Sequence, residues 1–330
     1  MCRRKAYKRF GFRPPGTKKH MNKESTPLPS TLQERLRQGR FVMTAELAPP
    51  VSCDAQELLR KAEGLKGVAD AVNVTDGAGA RAHMSALAAA SLILGAGIEP
   101  ILQITCRDKN RIALQSEMMG AAALGIRNLL LLTGDDPKAG DQPDTKPVFD
   151  IDSKTLIETA RRLRDDGTLP TGRKVGGKAS FFIGAADLPI DPPAGWEPKS
   201  LLGKAQSGAQ FVQTQFCMDA AIVRRYIGAL DRAGITKQLA ILIGVNPLRS
   251  AKSAAWMKSH LYGTIIPDAF IERMEKASDP EREGVRICVE LIEELSTTPG
   301  VAGVHIMAPG NDAAIPEVIA AVRPRVSVRA

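Results

Sequence analysis

After about residue 30, short apolar runs alternate with longer stretches whose apolar residues recur at three- and four-residue spacing. The runs at 41–47, 69–76, 100–106, 128–132, 179–187, 211–217, 239–245 and 301–308 are too short for helices and predict eight strands. The fourth is the most telling. Leu129 to Leu132 are four consecutive leucines closed by Gly134-Asp135-Asp136-Pro137, a strand covered on both faces, as parallel sheets require. Helical spacing fills the intervals, at 31–38, from 54, at 110–124, 153–166, 219–233, across 250–296 and at 313–322. Between the second and third strands, Met84, Leu87, Ala88, Ser91 and Leu92 mark one helical face. Eight strands alternating with eight helices predict a single α/β domain, a (β/α)8 TIM barrel over residues 31–330. The competing doubly wound sheet would carry GxGxxG after its first strand, where this chain has Ala48-Pro49-Pro50.

Composition changes this picture at one end only. The net charge of +9 suggests an anionic partner, but eight of those nine charges come from the first twenty residues, which contain no acid. Residues 1–30 therefore read as a disordered basic tail, with Met21 as an alternative start, and the barrel itself is nearly neutral. Aromatic residues make up 4% of the chain, too few for base-stacking surfaces, so no nucleic-acid partner is expected. Five cysteines without a CxxC pair predict reduced thiols and a cytoplasmic protein. No run of eighteen apolar residues is present, so no membrane span is expected. HExxH, GxSxG and His/Asp clusters are absent, so no metal site is expected.

A barrel gathers the polar residues at its strand ends into one mouth. Those residues are Glu46, Thr75, Asp76, Gln103, Thr105, Thr133, Asp135, Gln213, Gln215 and His305. Taken singly they have ordinary explanations: Gly134 and Asp135 can form a tight turn, His83 can cap a helix, and His305 can be structural. Glu46 is harder to dismiss, because an acid inside a strand is costly to bury unless it is paired or used. With Asp135 it forms a pair of acids at one mouth, the arrangement that separates acid and base roles. The loop at 137–147 is long enough to act as a flap.

Five motifs then carry a resemblance: Thr44-Ala45-Glu46-Leu47-Ala48-Pro49-Pro50, Val74-Thr75-Asp76-Gly77-Ala78, Gln103-Ile104-Thr105-Cys106, Leu132-Thr133-Gly134-Asp135 and Gln213-Thr214-Gln215-Phe216-Cys217-Met218-Asp219. In order and spacing they resemble the methylenetetrahydrofolate reductase family over roughly residues 40–320. The resemblance implies a flavin, FAD or FMN, bound by Thr75, Asp76, Ala78, Gln103, Thr133, Gly134, Asp135 and Lys204. It implies Glu46 as the general acid that protonates the folate N10, and Asp135 as a catalytic acid beside flavin and pterin. Gln215, with Asp135, would contact a tetrahydrofolate-type substrate. NAD(P)H would reduce the flavin at N5 and leave, and the hydride would then pass to the methylene carbon, giving 5-methyltetrahydrofolate.

Departures from the family's pattern fall at Gln103, Thr133 and Asn311, and on strand five, where residues 183–185 lack an aromatic. The runs at 107–115, 147–150 and 247–252 are similar to a branch in which some members receive electrons through a partner protein. A homo-oligomer is expected. The competing readings are a flavin-free folate-binding methyltransferase-like barrel and a non-catalytic partner subunit.

Overall fold

Alternation along each strand divides the side chains into an inward and an outward set, and both sets are buried because the sheet closes on itself. The computed structural model describes residues 30–326. The strands are β1 (Val42–Leu47), β2 (Ala71–Val74), β3 (Pro100–Thr105), β4 (Asn128–Leu132), β5 (Phe182–Asp187), β6 (Phe211–Phe216), β7 (Ala240–Val245) and β8 (Val301–Ile306). Every strand is parallel to its neighbour and β8 pairs with β1, so the barrel is closed. The register sets Thr44 beside His305 and Glu46 beside Asn73.

The inward side chains form layers. The floor is apolar: Val42, Ala71, Ile101, Leu130, Phe182, Phe211 and Leu242 meet Leu32, which enters from outside the barrel. Phe182 and Phe211 stack with ring centres 4.8 Å apart, and a β-carbon on Gly184 would lie 2.3 Å from the Phe211 ring, so that position needs glycine. Two residues further along their strands, Thr44, Asn73 and Gln213 form a buried polar layer with His305. Outward side chains such as Met43, Ala45 and Leu47 pack with the surrounding helices in the main core.

Eleven α-helices lie among the described residues, three more than the eight expected. One is α1 (Thr31–Arg37), which precedes β1 and carries Leu32 into the floor. The regular ring is α2 (Ala55–Glu63), α3 (Ala86–Gly95), α4 (Arg111–Ala123), α5 (Ser153–Asp165), α6 (Lys199–Ser207) and α7 (Ala220–Arg232). The stretch at 250–296 is α8 (Ala251–His260), α9 (Asp268–Glu275) and α10 (Pro280–Ser296), followed after β8 by α11 (Ala314–Val322). Pro267 at the N-cap of α9 and Pro280 at the first turn of α10 account for the breaks.

Two expectations are corrected in detail. The buried face of α3 is Ala86, Ala89, Ala90 and Ile93, whereas Ala88 is exposed and Met84 lies before the helix. This helix is apolar nearly all round, so spacing alone cannot choose its face. The second and fifth strands are also shorter than their apolar runs, because residues 69–70 and 179–181 make no ladder pairs. Of the tail expected at residues 1–30, residues 1–29 lie outside the described residues, and Ser30 is the buried N-cap of α1, accepting the Gln33 N–H at 3.0 Å.

The closed end is tied down by charge. Buried Asp70 accepts from the Met43 N–H at 2.7 Å and pairs with Arg35 of α1 and Arg323. Glu99 accepts the Thr31 and Leu32 N–H groups at the start of α1, at 3.0 and 3.2 Å. Among the described residues, no helix is long and apolar enough to cross a membrane.

Candidate active site

At the carboxyl ends of the strands the barrel opens into a cavity of about 620 Å³. Every residue singled out from the sequence for cofactor, substrate or catalysis lines it. Glu46 enters from β1, Thr75, Asp76 and Ala78 from the end of β2, and Gln103 from β3. Thr133, Gly134 and Asp135 follow β4, Gln215 stands on β6 and Lys204 on α6. The geometry therefore supports convergence, and the contacts distinguish what each residue is doing.

Glu46 lies at the boundary between the polar layer and open space, with its side chain 26% exposed. Its Oε2 is 3.7 Å from His305 Nε2, and the His305 side chain is 3% exposed. The other ring nitrogen, Nδ1, is 3.0 Å from Thr44 Oγ1. Thr44 in turn accepts from Gln213 Nε2 at 3.0 Å, and Gln213 and Asn73 exchange two amide hydrogen bonds at 2.6 and 3.0 Å. The inner face of β1 is thus polar from Thr44 onward. Glu46 is not an acid stranded in an apolar strand.

Asp135 and Asp76 are both engaged. Asp135 Oδ2 accepts the Gly79 N–H at 3.0 Å, drawing the loop after β2 over the cavity. Asp76 Oδ2 accepts from the Thr105 N–H and hydroxyl at 2.9 and 3.0 Å and from Lys109 Nζ at 2.8 Å, so it fastens β2 to β3 as well as lining the mouth. Gly134 has φ of +96°, and a β-carbon there would sit 2.9 Å from Arg107 Cβ and 3.1 Å from Thr105 Cβ. Glycine therefore lets the chain turn here at positive φ while packing closely on Arg107 and Thr105.

The remaining residues hold local partners. Lys204 Nζ donates to the Ala186 carbonyl at 2.6 Å. Thr133 Oγ1 donates to Ser153 Oγ at 3.3 Å, beside the start of α5. Gln215 Oε1 accepts the Phe216 N–H at 3.0 Å, and its Nε2 donates to the Tyr262 carbonyl at 3.4 Å. On β5, Ile183 and Ala185 face the outer core, and Ala186 and Asp187, at the strand end, line the cavity. Burial pushes the Asp187 carboxyl up, opposed by the hydrogen bond it accepts from Tyr226. Asn311 donates to the Pro247 carbonyl at 3.4 Å and does not line the cavity. His83 is near Arg81, with Nδ1 3.0 Å from its carbonyl oxygen, and lines a second pocket of about 290 Å³. That pocket adjoins the first across Asp76 and Arg107 and is walled by Gln142 and Thr145 of the long loop.

Two observations favour a ligand in the main cavity. Thr75 Oγ1 is buried and has no hydrogen-bond partner among the described residues, although buried hydroxyls are normally satisfied. Thr75 also lines the same cavity as the two acids Glu46 and Asp135. Sequence reasoning passed over Thr44 and Arg107. Thr44 lies two residues before Glu46 and so shares its face, a signal that was available. Arg107 is 4% exposed, donates to the Gly77 carbonyl at 3.1 Å and pairs with Asp108, contacts that spacing could not disclose. Among the described residues, no three His, Cys, Asp or Glu side chains are placed to hold a metal ion.

A closed parallel barrel whose open end gathers acids, amides, hydroxyls and one lysine around a single cavity defines a (β/α)8 protein of the kind that handles a small molecule at its mouth. The chain belongs to the methylenetetrahydrofolate reductase family, whose model it matches over residues 31–323. It is 24% identical over 240 residues to a Caenorhabditis elegans protein named probable methylenetetrahydrofolate reductase (NADPH), covering 70% of this chain and 33% of that one. It is 23% identical over 290 residues to methylenetetrahydrofolate reductase 1 of Schizosaccharomyces pombe, covering 82% of this chain and 44% of that one. The chain thus spans between a third and a half of the length of these relatives. Among solved structures, the EDTA monooxygenase EmoA of Chelativorans sp. BNC1 shares the fold, with a TM-score of 0.52, 13% identity and coverage of 87% of this chain and 93% of that one.

Proposed function

We propose that this chain reduces 5,10-methylenetetrahydrofolate to 5-methyltetrahydrofolate with a flavin bound at the barrel mouth. The observation that carries the reading is the meeting of Glu46, Asp135 and the unpartnered Thr75 hydroxyl in one cavity. A bound flavin, FAD or FMN, supplies hydride transfer, which no side chain can perform. Thr75, Asp76, Ala78, Gln103, Thr133, Gly134 and Asp135 would hold it, with Lys204 toward its phosphate. Lys204 can serve there by exchanging the Ala186 carbonyl for an anion.

Glu46 delivers a proton to the folate N10, opening the five-membered ring to a cationic iminium. Asp135 places negative charge where that cation develops, the kind of preorganised stabilisation that lowers such a barrier. Gln215 orients the pterin through its amide. The name of the nematode relative makes NADPH the first reductant to test; NADH and an electron-donating partner protein are the other sources. We place the enzyme in the cytoplasm, because five widely spaced cysteines without a CxxC pair suit a reducing compartment.

The test is the visible spectrum of the purified protein and its change on anaerobic addition of NADPH or NADH. A flavin spectrum that bleaches supports a self-sufficient reductase. A flavin that stays oxidised with both points to a protein donor. Failure to take up either FAD or FMN overturns the reading in favour of a flavin-free folate-binding barrel.

A further inference from the structure

The buried amide pair Asn73–Gln213 lies at the base of the mouth cavity, which Gln213 lines, and makes no hydrogen bond to the groups expected to react. Asn73 is 0% exposed and Gln213 2%. Gln213 Nε2 has two hydrogens, and both are used: one goes to Asn73 Oδ1 and the other to Thr44 Oγ1, each at 3.0 Å. Asn73 Nδ2 donates back to Gln213 Oε1 at 2.6 Å. Thr44 therefore receives a hydrogen from below and must send its own elsewhere. Its choices are His305 Nδ1 at 3.0 Å and the Val304 carbonyl at 3.4 Å, and the ring nitrogen is both nearer and more basic. With Nδ1 accepting, the ring hydrogen is on Nε2, the nitrogen that faces Glu46 Oε2 at 3.7 Å.

We infer that the Asn73–Gln213 pair is a positioning device that sets the tautomer of His305, and through it which kind of group, an N–H or a lone pair, confronts Glu46. The two senses are mutually exclusive. If the pair were turned over, Gln213 would offer an oxygen to Thr44, the hydroxyl would point down, His305 would carry its hydrogen on Nδ1, and a lone pair would face Glu46. In the observed sense an N–H stands ready for the carboxylate that remains once Glu46 has given up its proton, a form a lone pair would repel. The mechanism resembles the fixing of a metal-bound or catalytic histidine by the hydrogen bond on its far nitrogen. The inference rests on the proposed role of Glu46 for its chemical meaning, but the tautomer itself can be observed without folate.

The experiment is long-range proton–nitrogen correlation NMR on histidine-labelled protein at neutral pH. The chain has four histidines, and His305 is assigned by the signal missing from His305→Gln. The wild type is expected to show a single neutral tautomer of His305 with the hydrogen on Nε2. Gln213→Glu, which can only accept when ionised, is expected to move that hydrogen to Nδ1. Asn73→Asp adds charge to the same pair but obliges Gln213 to keep donating, so it is expected to retain the Nε2–H form. Gln213→Met, of similar volume, serves if the charged variant does not fold, and is expected to give a mixture of tautomers. A wild-type ring with its hydrogen on Nδ1 overturns the inference, as does a wild-type pattern retained in folded Gln213→Glu or Gln213→Met. If the NMR result is as expected but the protein never turns over methylenetetrahydrofolate, the positioning stands and the proposed reaction falls.

Discussion

His305 Nε2 stands 3.7 Å from Glu46 Oε2 across the seam where the last strand of the barrel closes on the first. The two residues come from opposite ends of the chain, and only closure of the sheet brings them together. Thr44 and His305 are direct partners in that ladder, so the strand register fixes the approach, with no loop to adjust it. The acid of the proposed reaction is therefore mounted on the closed sheet itself and not on a loop.

Replacing Glu46 by Gln removes the proton and keeps the shape. The folate half-reaction is expected to slow by roughly 10²-fold or more, the usual scale for a positioned acid. Reduction of the bound flavin by its donor should change by only a few fold. Anaerobic stopped-flow measurement of the two half-reactions separates these; if both survive, Glu46 is not the acid.

Asp135→Asn keeps an oxygen able to accept the Gly79 N–H and removes the charge. A flavin held close to Asp135 should then become easier to reduce, and folate turnover should fall with it. Equilibrium redox titration measures the first and steady-state kinetics the second. An unchanged potential together with unchanged turnover would remove Asp135 from the site.

Gly134→Ala forces a side chain onto left-handed backbone against Arg107 and Thr105. The strain alone is worth about 1 kcal/mol or more, and the contacts add to it. Gly310→Ala is the control, because Gly310 has a similar φ of +72° with nothing within 4 Å of the added carbon. Thermal melts should show a larger loss at Gly134, accompanied by weaker flavin binding that Gly310→Ala does not share.

Thiol reactivity should divide sharply. Cys53 is exposed, whereas burial pushes Cys106 up to about 11 and Cys217 up to about 12, and drives Cys288 upward as well. In a Cys2→Ser background, a colorimetric thiol titration at pH 8 should count one fast group, with three more appearing only on unfolding. A second fast thiol in the native protein would contradict the packing around strands β3 and β6 or helix α10.

Acid should loosen the anchor of the long loop, though only near the bottom of the carboxylate range. Arg111 holds the Asp150 carboxyl at about 2 through paired side-chain hydrogen bonds of 2.7 and 2.8 Å, backed by the Arg111 N–H at 2.9 Å. A folded value below the unfolded one, about 3.9, means that this pair's contribution is complete above pH ~4. It is lost as pH falls toward 2. Hydrogen exchange across 137–150 should rise in that window, and Arg111→Met should show the same rise at neutral pH; equal protection in both would exclude the mechanism.

How far the chain could be read from its sequence follows from what each signal depends on. The strands were legible because burial on both faces makes them continuous apolar runs, and Leu129 to Leu132 state this most directly. Glu46, Asp135 and Gln215 were legible as mouth residues because strand order in a barrel determines which ends meet. The face of α3 was not, since a helix apolar all round has no polarity contrast to orient it. The pairing of Asn73 with Gln213 was also hidden, because spacing along a strand says nothing about which residue crosses the interior to meet it. Asp76 shows the same limit: its place at the mouth could be inferred, but its grip on Thr105 and Lys109 could not.

The apolar floor makes the barrel a blind well. Leu32, Phe182 and Phe211 seal the lower end, so water cannot pass through to Thr44, Asn73, Gln213 or His305 from beneath. Whatever fills the mouth also stoppers it. The labile hydrogens on His305, Thr44 and Glu46 would then trade with bulk water only between occupancies, so a proton lost to one guest must be restored after that guest has gone. Deuterium supplied in the solvent would thus enter the site once per visit.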